Sequence, residues 1–264
     1  MTALTFPQNH GPVNAVRTTT FADGTEDWDS QTQQPKTFPQ EQLNALKPFA
    51  VCNASQYQAT AIAYTDAGAF PGVNIELPGT GYSDGIHAEF FAVMNARAHG
   101  ATKLNALDIN SSPCGHCREF LSKPENGDLP IRYIDNTKAV KDSTLKTLLP
   151  DAFVLEGQGD LFSSKDSTYQ PIVKRIHEIN NIQAAVTLNT DTNYKGYCVE
   201  VASWNPSLTP AQDMLIKFYS DRGLDGLNAL DIIKLNLTEE QGNSGISFKW
   251  NTMAIEEGLK QLKN

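Results

Sequence analysis

The feature that most constrains this chain is a pair of short clusters, His87-Ala88-Glu89 and Pro113-Cys114-Gly115-His116-Cys117. One imidazole nitrogen and two cysteine sulfurs form a borderline-soft donor set that suits zinc. Three protein ligands leave a fourth tetrahedral position open, which is the catalytic and not the structural arrangement. Glu89 stands two residues beyond the histidine and is free to be something other than a ligand. Any fold of this sequence has to bring residues 87–89 and 114–117 to one point.

Local patterns show how. Phe90, Phe91, Val93, Met94 and Ala98 follow at helical spacing and Gly100 closes the run, so His87 and Glu89 sit on the first turn of a helix. Leu104 to Asn110 alternates as a half-buried strand. Ser112 reads as an N-cap and Pro113 as the first helical residue. Cys114 and Cys117 then lie three apart with both sulfurs facing one way, at a helix N-terminus that favours thiolate. A lone Cys-x-x-Cys also serves redox chemistry or half of a structural zinc site. The other cysteines, Cys52 and Cys198, are isolated and offer no second pair. His116 points away from the two cysteines on such a helix and reads as an exposed residue.

Composition narrows the class of partner. The chain has 264 residues, 40% hydrophobic and 19% charged, enough for one large domain or two small ones. Its net charge is −9 and its pI about 5.0. Nucleic-acid binding relies on Lys and Arg against phosphates, so this balance argues against a polynucleotide partner. No N-terminal apolar run or membrane-length apolar stretch occurs, so neither export nor a membrane partner is expected. Four cysteines, two of them assigned to metal, suit a reducing cytoplasm.

Residues 1–40, rich in Thr, Gln, Asp, Asn and Pro, read as an irregular N-terminal arm, with a short helix from Phe38 to Leu46 at its end. Tyr57 to Tyr64 and Val73 to Leu77 read as strands joined by a turn at Thr65 to Gly68. Asn74 and Glu76 share one face of the second strand, a face that suits either substrate hydroxyls or plain solvent. Ile131 to Ile134 reads as a strand and Lys138 to Leu149 as a helix. A linker at residues 157–166 follows.

Leu227-Asn-Ala-Leu-Asp-Ile232 then repeats Leu104-Asn-Ala-Leu-Asp-Ile109 letter for letter. Ala184 to Leu188 has the character of Ala59 to Ala63, Val199-Glu-Val201 echoes Ile75-Glu-Leu77, and Pro210-Ala-Gln212 stands where His-Ala-Glu would be. The matching order suggests a duplication whose second copy has lost the histidine, the glutamate and the cysteine pair. The expected fold is α/β: an arm at 1–40, a catalytic domain at 41–156, the linker, and a degenerate copy at 167–264.

His-x-Glu followed by Pro-Cys-x-x-Cys resembles the signature of the zinc deaminases. Together, Val73-Asn-Ile-Glu76, His87-Ala-Glu89 and Pro113-Cys-Gly-His-Cys-Arg118 resemble the cytidine deaminases that act on free nucleosides. Leu149-Pro-Asp-Ala-Phe153 and the length resemble their homodimeric, two-domain branch. The likeness covers roughly residues 45–235 and is strongest over 73–121.

It implies two tandem three-layer α/β/α units with mixed sheets, the second degenerate, and one zinc per chain held by His87, Cys114 and Cys117. It implies hydrolytic deamination of cytidine and 2′-deoxycytidine in pyrimidine salvage, with Glu89 as the proton carrier. Asn74 and Glu76 would hold the ribose hydroxyls. Tyr57, where the family usually has Phe, would pack on the sugar or base. Ala88 and Ser112 would lie against the ring, and Phe153 would help close the partner's site in a homodimer. Glu119 departs from the Gln usual at its position, and the arm aligns with nothing in the family. Two other readings are a deaminase of another base, a nucleotide or nucleic-acid cytosine, and a zinc-binding scaffold without activity. A ribose suits Asn74 and Glu76 where a phosphate would be repelled, and a scaffold has no use for Glu89.

Overall fold

The computed structural model describes residues 28–81, 84–122, 127–153, 161, 185–189, 194–197, 199, 207–222, 236–240 and 249–262. The first half begins with helix α1 (Gln40–Leu46), a 3₁₀ turn at Lys47–Phe49, and strands β1 (Val51–Cys52), β2 (Thr60–Thr65), β3 (Gly68–Val73) and β4 (Ile75–Glu76). It continues with α2 (Ala88–Ala98), β5 (Leu104–Ile109), α3 (Gly115–Leu121), β6 (Pro130–Ile134), β7 (Val140–Thr144) and α4 (Leu145–Leu148). Five strands form one mixed sheet in the order β3-β2-β5-β6-β7. Only the β5–β6 pairing is parallel within it. The short strands β1 and β4 pair separately, in parallel.

Period-two alternation decides what each face of this sheet meets. Ala61 on β2 is paired with Gly72 on β3, and α2 lies against that face. A Cβ added at Gly72 would collide with the Ala88 carbonyl and the Ala92 backbone, so glycine sets how closely the helix approaches. Thr60, Ile62 and Tyr64 point to the other face. There Thr60 donates to the Leu43 carbonyl of α1 at 3.0 Å, and Trp28 meets Tyr64 edge-on at 6.2 Å. The first half is thus a three-layer α/β/α unit.

The second face carries a buried ion pair. Asp108 of β5 is fully buried and accepts from Arg132 Nε at 2.7 Å and Nη2 at 2.6 Å. It also accepts from the Tyr64 hydroxyl at 2.8 Å and from Gln34 Nε2 at 3.0 Å. Arg132 Nη1 donates to the Pro35 carbonyl at 2.9 Å. Residues 28–36 are irregular, as expected, but they are docked on the sheet and do not form a free arm.

Two further expectations are corrected. Lys138 to Leu149 is not one helix: Val140–Thr144 pairs antiparallel with β6, and only Leu145–Leu148 is helical. The reason is a turn. Asp135 Oδ1 accepts from the Thr137 and Ala139 amides, and Lys138 takes φ 66, so the chain reverses into a hairpin. Leu104–Ile109 is buried almost throughout and not half-buried, because β5 is the central strand between two covered faces.

The second half contributes β8 (Ala185–Asn189), β9 (Tyr194–Tyr197), α5 (Pro210–Arg222), β10 (Asn236–Glu240) and α6 (Lys249–Gln261). Its strands run β10-β8-β9, all antiparallel, like β5-β2-β3. Gly196 meets the Pro210 carbonyl and the Met214 backbone as Gly72 meets Ala88 and Ala92. The isolated bridge Val199–Leu208 likewise echoes Ile75–Ile86. These contacts put Thr209 opposite His87 and Ala211 opposite Glu89, one residue from the alignment of Pro210-Ala-Gln212 with His-Ala-Glu. The repeated Leu227 to Ile232, the linker at 157–166 apart from Leu161, and residues 1–27 of the arm lie outside the described residues.

The two halves meet through α2 and α5, where Phe91 and Tyr219 stack edge-on at 5.8 Å. Sheet on one side and α5 on the other leave residues 88–96 of α2 buried all round. Each fully buried Phe or Val there contributes about 1.5–3 kcal/mol, which anchors the helix that begins at the metal cluster.

Candidate active site

His87 is the N-cap of α2. Its backbone is extended (φ −79, ψ 152), its carbonyl accepts the Phe91 amide at 2.9 Å, and its ring makes no capping hydrogen bond. The ring is therefore free to face away from the helix. Cys114 is the N-cap of α3, in place of the expected Ser112, and Pro113 lies before the helix. The sulfur takes over the capping role, because Cys114 Sγ accepts the Cys117 amide at 3.5 Å. This brings both sulfurs to the mouth of the turn. Arg118 braces the lead-in by donating to the Pro113 carbonyl at 2.9 Å and the Leu148 carbonyl at 3.0 Å, with Ser112 Oγ at 3.4 Å.

The donors form a small triangle. His87 Nδ1 lies 3.4 Å from each sulfur, and the sulfurs lie 3.6 Å apart. A tetrahedral zinc with ordinary bond lengths requires edges of about 3.5 Å and about 3.8 Å respectively. The three residues thus fit one zinc ion, and they are the one His/Cys/Asp/Glu group of that kind among the described residues. Hydrogen bonding from Cys117, with help from His87, holds the Cys114 thiol down at about 3. Burial pushes the Cys117 thiol up, a penalty that a cation between the sulfurs would remove.

Glu89 sits on the first turn of α2, 5% exposed. Burial, and then the charge of Cys114, push its carboxyl above the usual range. His116 stacks edge-on to His87 at 5.9 Å and lies outside the donor triangle, though it does line the cavity.

That cavity, of about 390 Å³, is the size of a small-ligand cleft. His87, Glu89 and Cys114 line one part of it, and Tyr57, Asn74 and Glu76 another. Ala88 and Ser112 line it as well. Asn74 Nδ2 donates to Glu76 Oε1 at 3.0 Å and to the Tyr57 carbonyl at 2.8 Å. Ser55, which the sequence did not single out, fixes Glu76 through its amide at 2.7 Å and its hydroxyl at 2.8 Å. Gly85, Ile86 and Ser111 complete the wall without any motif that announces them. Phe153, 55% exposed, lines neither this cavity nor the next. A larger cleft of about 470 Å³ shares Tyr57 but is lined by amides and Lys47 and Lys138, without a carboxylate, imidazole or thiol. The chemistry lies in the smaller one. Glu119 Oε1 is buried without a hydrogen-bond partner, and nothing in the structure explains its replacing the usual Gln.

A mixed α/β unit that sets a His/Cys/Cys triangle beside a buried glutamate is the framework of a zinc-dependent deaminase. The family model for the cytidine and deoxycytidylate deaminase zinc-binding region matches residues 33–130. The cytidine deaminase of Yersinia pestis is 30% identical, across 79% of this chain and 76% of that protein. The cytidine deaminase of Proteus mirabilis is 29% identical, across 80% and 82%. A solved cytidine deaminase from Burkholderia pseudomallei is matched at 26% identity and a TM-score of 0.38, over 43% of this chain and 94% of that one. The chain belongs to the cytidine deaminase family.

Proposed function

We propose that this protein hydrolyses cytidine and 2′-deoxycytidine to the corresponding uridines, releasing ammonia, as a cytoplasmic enzyme of pyrimidine salvage. The observation that carries the proposal is one cavity lined by His87 and Cys114 of the donor triangle and by Glu89, together with the Asn74–Glu76 pair. His87, Cys114 and Cys117 would hold zinc. The ion supplies the acidification of a water molecule, toward ~7, that makes it nucleophilic at neutral pH. Glu89 takes a proton from the water that attacks C4 and delivers it to ring N3. It then takes the second proton from the new C4 hydroxyl and passes it to the amine, which leaves as ammonia when the C4–N bond breaks and the C4 carbonyl forms. That task needs a carboxylate beside the metal but not on it. Ala88 and Ser112 flank the ring, and Tyr57, half exposed at the rim, covers the sugar.

Asn74 and Glu76 receive the ribose hydroxyls, and Ser55 holds the carboxylate ready before substrate arrives. Glu76→Ala is expected to raise KM for cytidine with little change in melting temperature. Losing a charged hydrogen bond is worth about 1.5–3 kcal/mol, roughly tenfold to hundredfold, and the released Ser55 is exposed and can bond water. A collapsed melting temperature with KM unchanged would make Glu76 structural.

The second half is read as a degenerate copy that retains the helix-on-strand packing and has no ligand at Thr209 or Ala211. Two chains form a homodimer, with Phe153 offered to the partner's cavity and not to its own. The test is the zinc-loaded full chain with cytidine, followed by ultraviolet absorbance and ammonia release. Cytidine is converted, while a cytidine monophosphate and a single-stranded oligonucleotide are not. One zinc per chain and a mass of two chains by light scattering accompany this. Preference for the nucleotide overturns the substrate class, a second zinc per chain overturns the silent copy, and a fully active monomer overturns the shared site.

A further inference from the structure

We infer that Gln212, on the non-catalytic half, is a positioning residue for the metal centre. It clamps the turn that delivers His87. The inference rests on the zinc reading of that centre but not on the identity of the substrate.

Gln212 is 2% exposed and bridges two structures. Its Oε1 accepts from the Thr209 amide at 2.8 Å while its own amide donates to Thr209 Oγ1 at 3.4 Å, closing a Thr-x-x-Gln capping box on α5. Its Nε2 donates to the Gly85 carbonyl at 3.1 Å, 127 residues away in sequence. A capping box needs only an acceptor at this position. Glutamate provides one equally well and gains from the helix dipole besides. Only the amide also carries an N–H for Gly85.

A second bond closes a ring around the same turn. Thr209 Oγ1 donates to Asn251 Oδ1 of α6 at 2.5 Å, and Asn251 Nδ2 donates to Asp84 Oδ1 at 2.6 Å. The hydrogen bonds therefore run Gly85–Gln212–Thr209–Asn251–Asp84 and return to the neighbour of the starting residue. On the opposite side Ile86 exchanges backbone hydrogen bonds with Ile75 at 2.8 and 2.9 Å, between Asn74 and Glu76. The three residues before His87 are thus gripped between the strand of the Asn74–Glu76 pair and the second half. Fixing their backbone fixes the starting direction of α2 and with it the imidazole relative to the two sulfurs.

Gln212→Glu separates the clamp from the cap, because it keeps the acceptor for Thr209 and sets an oxygen against the Gly85 carbonyl. The measurement is zinc release from the loaded protein to a chromogenic chelator without substrate, beside kcat/KM for cytidine. Release about tenfold faster and kcat/KM about tenfold lower are expected, the scale on which outer supports of metal ligands act. Both are read well below the melting temperature of each variant, which the buried oxygen pair lowers in Gln212→Glu. Asn251→Ala, at a partly exposed position, shifts release in the same direction and decides the question if Gln212→Glu does not fold. Wild-type zinc release in the folded variants overturns the clamp. Because that readout involves no substrate, the clamp and the cytidine reading can fail independently.

Discussion

Exchanging Glu89 for glutamine is expected to cut cytidine turnover by about 10²–10⁴-fold, the usual contribution of a positioned proton carrier, with zinc still bound. The two side chains have nearly the same shape, so the first turn of α2 and its packing are retained. The amide can still hydrogen-bond to water or to the ring. It cannot accept a proton from one and pass it to the other. Glu89 is the buried carboxylate beside the donor triangle, and burial raises its affinity for a proton, which suits a group that carries one. The assay pairs elemental analysis with single-turnover and steady-state rates. A variant that keeps both zinc and a near-normal rate would remove Glu89 from the mechanism. A variant that loses zinc would make its role one of holding the site together.

The second large effect is on stability. Arg132→Met should cost about 3–5 kcal/mol, the range for removing one partner of a buried ion pair, and lower the melting temperature by roughly 10 °C for a chain of this size. Asp108 is fully buried, and burial already works against its charge. Tyr64 and Gln34 would remain as donors, but the guanidinium that neutralises the carboxylate would be gone. The Pro35 carbonyl would lose its partner too, which loosens residues 28–36 from the sheet. The double variant Asp108→Leu/Arg132→Met should be less destabilised than Arg132→Met alone, since no charge is then left stranded. Chemical denaturation measures both. A single-variant loss below about 1 kcal/mol would place the pair among weakly coupled surface ions.

The chemistry of this protein was written in the sequence because zinc restricts both ligand type and spacing. His87, Cys114 and Cys117 could be named from residue identity alone, and the helical spacing after Glu89 identified the element that carries it. The i, i+2 spacing of Asn74 and Glu76 suited solvent as well as a substrate, and a role for the pair came only from the family resemblance. What the sequence misjudged was decided by partners distant along the chain or by competing local bonds. Ser112 has a good capping side chain, yet Cys114 caps α3, because the helix starts at Gly115 and the Cys114 sulfur accepts the Cys117 amide. Residues 138–149 read as a helix in the sequence, yet the Asp135 turn and the open edge of β6 make Val140–Thr144 the second strand of a hairpin.

Helix α2 is apolar by period but buried all round, because α5 covers the side away from the sheet. Ser55 reaches Glu76 across 21 residues and Gln212 reaches Gly85 across 127. A metal ligand is recognisable on its own, since its demand is chemical. A positioning hydrogen bond consists only of a donor and an acceptor brought within 3 Å or so. Nearly every polar residue can supply one or the other, so only the folded chain selects which pairs meet.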